Sequence, residues 1–279
     1  MNANKLKTII SKKSLGNSDS SQQLFQLFYF ERILERISLS KYKGQIILKG
    51  GLLLSSIFGI DERTTRDMDA TLKGIMISYE KIIEIFNEIL GIPLNDGVTF
   101  TIVNVKDIQL EDEYDGFRIN ILATLDNNKT YVAIDLTVGD IITPRAMVFS
   151  YNSIFEDKKI LIMTYTLETV LAEKFQTIIN RGVLNTRMKD YNDIYFLMNE
   201  KEFINQNNLI SAINNTFTRR ETKINTDEFK VIIKELKENV ELRSRWKEFQ
   251  NKVNYKTKVD YGDVMAAIEK IIVILETKN

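Results

Sequence analysis

The stretch from Gln45 to Lys73, QIILKGGLLLSSIFGIDERTTRDMDATLK, constrains this chain more than any other. It opens with Ile46-Ile47-Leu48, an apolar run of the length of a buried strand. Lys49-Gly50-Gly51 follows, then Leu52 to Phe58, which predicts a short apolar helix. Arg63-Thr64-Thr65-Arg66 leads into a second strand, where Asp67, Asp69 and Thr71 alternate with Met68, Ala70 and Leu72. A period of two sends Asp67 and Asp69 to one face. Like charges side by side raise each other's pKa unless something neutralises them. A divalent cation does so directly, and hard carboxylate oxygens suit magnesium. Gly50 and Gly51 have no Cβ, so their N–H groups can approach a ligand closely, and a helix starting there offers an anion site. Taken singly, Gly-Gly is most often a turn and Asp-x-Asp a solvated strand edge or a cap. The order strand, Gly-Gly, helix, basic loop, Asp-x-Asp strand is far more specific, and it suits a nucleoside triphosphate.

KGG followed by RTTRDMD resembles the first motif of the nucleotidyltransferase superfamily, which has the DNA polymerase β-like fold. More narrowly it resembles the AbiEii-type abortive-infection toxins, nucleotidyltransferases of bacterial type IV toxin–antitoxin systems. Arg63, Thr65, Asp67, Met68 and Asp69 fill the pattern Arg-x-Thr-x-Asp-hydrophobic-Asp, while Gly51 stands where the superfamily more often has Ser.

Further motifs extend the resemblance to Tyr195. The strand-like segment Tyr131 to Val138 carries a lone acid, Asp135, and a mid-strand carboxylate is costly unless paired, exposed or bound to metal. The resemblance makes Asp135 the third metal ligand, with Asp67 and Asp69, and the base for an attacking hydroxyl. LETVLAEKFQTIINR, from Leu167 to Arg181, predicts a helix with Thr166 as N-cap and Gly182 as its stop. By resemblance its Lys174 holds the triphosphate; by itself it reads as a surface lysine. TRMKDYNDIYFLMN, from Thr186 to Asn199, puts Asp190 and Asp193 on one face of a second helix, near its N-terminus, where acids are favoured. Arg187, Lys189, Asp190, Asp193, Ile194 and Tyr195 match the last family motif, which implies that Asp190 is an active-site acid supported by Asp193. Gly50, Gly51, Arg63, Thr65 and Arg66 are the remaining nucleotide-binding candidates.

The expected fold is α+β: a nucleotidyltransferase-like mixed sheet with flanking helices over residues 1–150, then a mainly helical subdomain over 151–279 that completes the cleft. Helices are expected from Lys5 to Ser11, Ser21 to Ser38 and Ser78 to Leu90. Strands are expected over Val98 to Val105, Gly116 to Leu125, Thr130 to Val138 and Ile160 to Met163. Beyond Glu200, amphipathic helices are expected over Phe203 to Phe217, Thr226 to Trp246 and Tyr261 to Leu275. Arg219-Arg220 with Lys223, and Arg243 to Lys247, are basic clusters that suit either RNA or a solvated face.

Composition narrows the chemistry. With neither histidine nor cysteine, the chain has no His-dependent hydrolase triad, no HD-type phosphohydrolase site and no thiolate chemistry. Acid–base and metal work falls to Asp, Glu, Lys or Tyr. Lys+Arg and Asp+Glu both number 38, so indiscriminate polyanion binding is not expected. No apolar run approaches the roughly 18 residues of a membrane span, and the N-terminus has no signal-peptide core, so a cytoplasmic protein is expected.

The resemblance implies a toxin of phage defence by abortive infection. It would move a nucleotide from a nucleoside triphosphate to RNA, with the tRNA 3′ end as the expected acceptor, magnesium or manganese as cofactor and an antitoxin as partner. Two other readings use the same residues: a phosphotransferase moving a γ-phosphate, and a non-catalytic module that binds nucleotide or a partner protein.

Overall fold

A computed structural model describes all residues except 16, 76–77, 111–113, 200–203, 254 and 278–279. The chain divides into two compact units. The first comprises Met1–Ile57, Thr64–Asp140 and Met147–Thr164; the second comprises Phe58–Arg63, Ile141–Ala146 and Tyr165–Asn279.

The first unit is built on one sheet. Its strands are β1 (Ile46–Lys49), β2 (Met68–Leu72), β3 (Val98–Leu110), β4 (Tyr114–Leu125), β5 (Asn128–Val138), β6 (Met147–Asn152) and β7 (Lys159–Thr164). They lie in the order β3-β4-β5-β2-β1-β7-β6. Pairing is mixed: β2 runs parallel to β5 and β1 parallel to β7, while β1–β2, β3–β4, β4–β5 and β6–β7 are antiparallel. This is the expected α+β class. Helices α1 (Ala3–Ser14), α2 (Ser18–Leu39), α3 (Gly50–Phe58) and α4 (Tyr79–Leu90) flank the sheet, α3 running on from β1. α2 packs on β5 and β7, and α4 on β3. Their apolar faces, with Phe28, Ile33, Ile37, Ile82, Ile85 and Phe86, are fully buried together with Ile119, Ile121, Ile134 and Leu136 of the sheet.

Three charges on α2 are buried with that face. Arg36 grips Asp96 through both guanidinium nitrogens, at 2.9 and 3.1 Å. Arg32 donates to Glu156 at 2.8 Å. Glu31 accepts from Tyr151, Ser153 and the Ile154 N–H, which ties the helix to the β6–β7 hairpin. Burial still lifts the Glu31 carboxyl above its ordinary range, although these partners and Arg32 pull it down.

The second unit is helical: α5 (Leu167–Arg181), α6 (Met188–Asn199), α7 (Gln206–Arg219), α8 (Thr226–Glu238), α9 (Val240–Lys252) and α10 (Tyr261–Glu276). α5 packs on α7 and α6, and α10 on α6 and α8. Phe175, Phe217 and Phe229 stack their rings at 5.6 to 5.8 Å in its core.

Two expectations need correction. The helix expected over Thr226 to Trp246 is two helices, because Asn239 ends α8 and its side chain caps α9 by accepting from the Leu242 N–H at 2.9 Å. Strand β6 was not foreseen; it pairs with β7 as a hairpin. The expected helix start at Phe203 lies outside the described residues.

Candidate active site

The sheet register creates a row of charges. Lys49 of β1 stands opposite Asp69 of β2. Asp69 is aligned with Asp135 of β5, and Asp135 with Arg118 of β4. Side chains at paired positions share a face, so the row reads cation, acid, acid, cation across four adjacent strands.

Each carboxylate of the row has a fixed partner. Asp135 is 5% exposed, and the Arg118 guanidinium holds both its oxygens, Nε to Oδ1 at 2.7 Å and Nη2 to Oδ2 at 2.6 Å. That pairing is the reason a mid-strand acid is tolerated there. The hydrogen bond to Asp135, and the nearby Asp67 and Asp69, hold the Arg118 guanidinium above its already high range. Asp69 accepts from the Gly51 N–H at 3.3 Å. Burial pushes its carboxyl up; Lys49 pulls it down, Asp135 raises it, Gly51 lowers it and Asp67 raises it, leaving it above the usual carboxylate range. Asp135 and Asp67 thus both act on Asp69 through space. Thr65 fixes the approach to β2, its hydroxyl donating to the Asp67 carbonyl at 3.0 Å.

Gly50 explains why the carboxylate fits. Its φ is +64°, and a Cβ there would stand 2.8 Å from Asp69 Cγ and 2.9 Å from Asp69 Cβ. An L side chain there would have to displace Asp69. The room left by the glycine, and the Gly51 N–H, are used here by Asp69. Helix α3 starts at Gly50, two residues before the expected Leu52.

Beside the row, Lys49 Nζ lies 2.7 Å from Asp140 Oδ2, and the Thr137 hydroxyl donates to the same oxygen at 2.7 Å. Lys49, Arg118 and Asp140 were given no role from sequence. The signal for Arg118 was present: it and Asn120 interrupt the apolar run of β4 with a period of two.

Hard carboxylate oxygens gathered in one place are what a divalent cation seeks. The donor set Asp67, Asp69 and Asp135 therefore fits magnesium or manganese in its chemistry. Among the described residues, no three acidic side chains stand assembled as a ready ligand set. Asp135 is turned to Arg118 instead.

The second unit carries its own charged network. Lys174 of α5 lies 2.5 Å from Asp190 and 2.8 Å from Asp193 of α6. Arg63 donates to both oxygens of Asp193, at 2.7 and 3.2 Å. Arg187 reaches Asp190 at 3.1 Å. Burial pushes the Lys174 ammonium down, but Asp190 and Asp193 more than offset it, so the lysine stays charged. Burial raises the Asp193 carboxyl, and Arg63 with Lys174 drives it below its usual range. Sequence reasoning left Lys174 between a surface lysine and a phosphate clamp; its side chain is only 13% exposed and it is paired within the protein. Arg220, from one of the basic clusters, is also turned inward, donating to Gln176 at 2.7 Å and to the Glu173 carbonyl at 3.3 Å.

A seven-stranded mixed sheet with paired aspartates on two neighbouring parallel strands, entered through a Gly-Gly helix start, defines a nucleotidyltransferase-like fold. Two solved structures share it. A proposed nucleotidyltransferase from H. pylori is 12% identical and superposes with a TM-score of 0.51 over 92% of this chain and 98% of its own. JHP933 from Helicobacter pylori gives the same identity and TM-score, over 92% of this chain and 94% of its own. The sequence profile of the nucleotidyl transferase AbiEii toxin family, a type IV TA system, matches residues 32–268, and the chain belongs to that family. No curated protein sequence matches it. No helix among the described residues is long and apolar enough to cross a membrane.

Proposed function

We propose that this protein is a cation-dependent toxin that moves a nucleoside monophosphate from a nucleoside triphosphate to an RNA hydroxyl, with the tRNA 3′ end as acceptor. The family supplies the reaction class, and the alignment of Asp69 with Asp135 on parallel strands supports a cation site there. Asp67, Asp69 and Asp135 would hold magnesium or manganese, which when bound neutralises phosphate charge and lowers the pKa of the attacking hydroxyl. Asp135 accepts the proton of that hydroxyl. The hydroxyl oxygen forms a bond to the α-phosphorus, the bond from that phosphorus to the bridging oxygen breaks, and pyrophosphate leaves with the electron pair. Gly50 keeps Asp69 in place, and Arg66 would neutralise phosphate charge. Within the second unit, the network of Arg63, Lys174, Asp190 and Asp193 supports triphosphate binding. Adding nucleotides to the tRNA end blocks aminoacylation, and a cognate antitoxin restrains the activity.

The test is incubation with total tRNA, magnesium and each nucleoside triphosphate, α- or γ-labelled, alongside Asp69→Asn. Transfer of α-label that the variant loses is the expected result. Transfer of γ-label alone would replace this reading with phosphoryl transfer. Binding of nucleotide without any transfer would leave a binding module. Lys174→Ala should weaken triphosphate binding; unchanged affinity would remove the second network from the site.

A further inference from the structure

In the row Lys49, Asp69, Asp135, Arg118, two carboxylates lie between two cations, and Asp140 on Lys49 and Asp67 near Asp69 add negative charge beside it. A divalent cation bound to those acids brings two more positive charges. It repels both basic side chains and competes with them for the carboxylate oxygens. The two are not equivalent. Lys49 is 14% exposed and committed to Asp140, which Thr137 also holds. Arg118 is 40% exposed, and it donates to both oxygens of Asp135.

We propose that Arg118 guards the cation site. Its guanidinium holds Asp135 in the cation-free protein, and a divalent cation gains Asp135 only by displacing it. Lys49 remains in place, as the fixed positive neighbour of Asp69. Arg118 is thus a positioning residue whose removal favours the cation, the reverse of a group that merely props Asp135 in a ligating pose. The proposal rests on reading the aspartates as a cation site.

The experiment is direct Mn2+ binding to the full chain, read from the electron paramagnetic resonance signal of the free ion, with no nucleotide present. The parent, Arg118→Gln, Arg118→Lys and Asp135→Asn are compared. Arg118→Gln should bind Mn2+ several-fold more tightly than the parent. Arg118→Lys keeps the charge but loses the two-pronged grip, so it should fall between them. Asp135→Asn should bind more weakly. Melting in EDTA should show Arg118→Gln less stable than the parent, with the difference shrinking as Mn2+ saturates. Should Arg118→Gln not fold, the Arg118→Lys affinity decides. Equal or weaker Mn2+ binding in the arginine variants, with Asp135→Asn still impaired, overturns the guard and spares the cation site. Binding that is absent in the parent, or indifferent to Asp135→Asn, overturns the cation site and the guard with it.

Discussion

At the residue scale, Gly50 and Asp69 form one unit of design. A left-handed φ costs a residue with a side chain roughly 1–2 kcal/mol, and at Gly50 the added Cβ would also strike the Asp69 carboxylate. Gly50→Ala should therefore lower the melting temperature and weaken cation binding together. An alanine variant as stable as the parent would show that the glycine is not needed for this geometry. Asp69 itself should behave oppositely. Its carboxyl is raised by burial first, with Asp135 and Asp67 adding to it against Lys49 and Gly51. A raised acid favours the fold when protonated, so its contribution falls as pH rises from the unfolded value through the folded one, and stays low above that. Asp69→Asn should then melt higher than the parent in EDTA at pH 7. The gain should disappear below about pH 4, where the unfolded carboxyl also protonates. A variant no more stable at neutral pH would mean that Lys49 alone already satisfies the carboxylate.

At the element scale, helices α5 and α6 are joined through Asp193, which is fully buried against Lys174 and receives both prongs of Arg63. Removing it leaves two buried cations short of a carboxylate, at a cost of about 3–5 kcal/mol. Asp193→Ala should show that loss in urea unfolding at pH 7. Because this carboxyl lies below its ordinary range, its stabilisation is complete above the unfolded value and fades as pH falls through the lowered one. The urea curves of parent and variant should therefore converge in acid, and a constant gap would assign the loss to packing. The elements themselves were largely legible in the sequence. Apolar periodicity marked α2, α4 and α10, periodicity with the Thr166 cap marked α5, and alternation marked β2, although α2 is capped by Asn17 and not by the expected Ser20 or Ser21. What escaped was non-local. Asn239 sits inside a continuous helical pattern, and only its side-chain bond to Leu242 reveals the break. The partners of Asp135, Asp69 and Asp193 come from other strands and helices, so spacing along the chain could not supply Arg118, Lys49 or Arg63 as their counter-ions. The motif placed the acids; the register supplied what neutralises them.

At the scale of the whole molecule, the formal charge is zero. Part of the basic sequence is also used internally, since Arg220 is turned onto α5. An RNA acceptor would then be held through few phosphates. With roughly 0.7–0.9 of slope per phosphate contacted, the logarithm of affinity against the logarithm of salt should fall with a slope shallower than about −4. Fluorescence anisotropy with labelled tRNA between low and physiological salt checks this, and a much steeper slope would reveal a broad basic surface. The chain passes between its two units five times, through Phe58–Arg63 and Ile141–Ala146 as well as at Tyr165. During synthesis, early residues must therefore wait for late ones. A nascent chain that stops before Thr164 leaves β1 with an open edge, and one that stops before Asp193 leaves Arg63 without the carboxylate that grips it. Interrupted translation should therefore yield fragments open to proteolysis, because neither unit closes until the chain has returned to it.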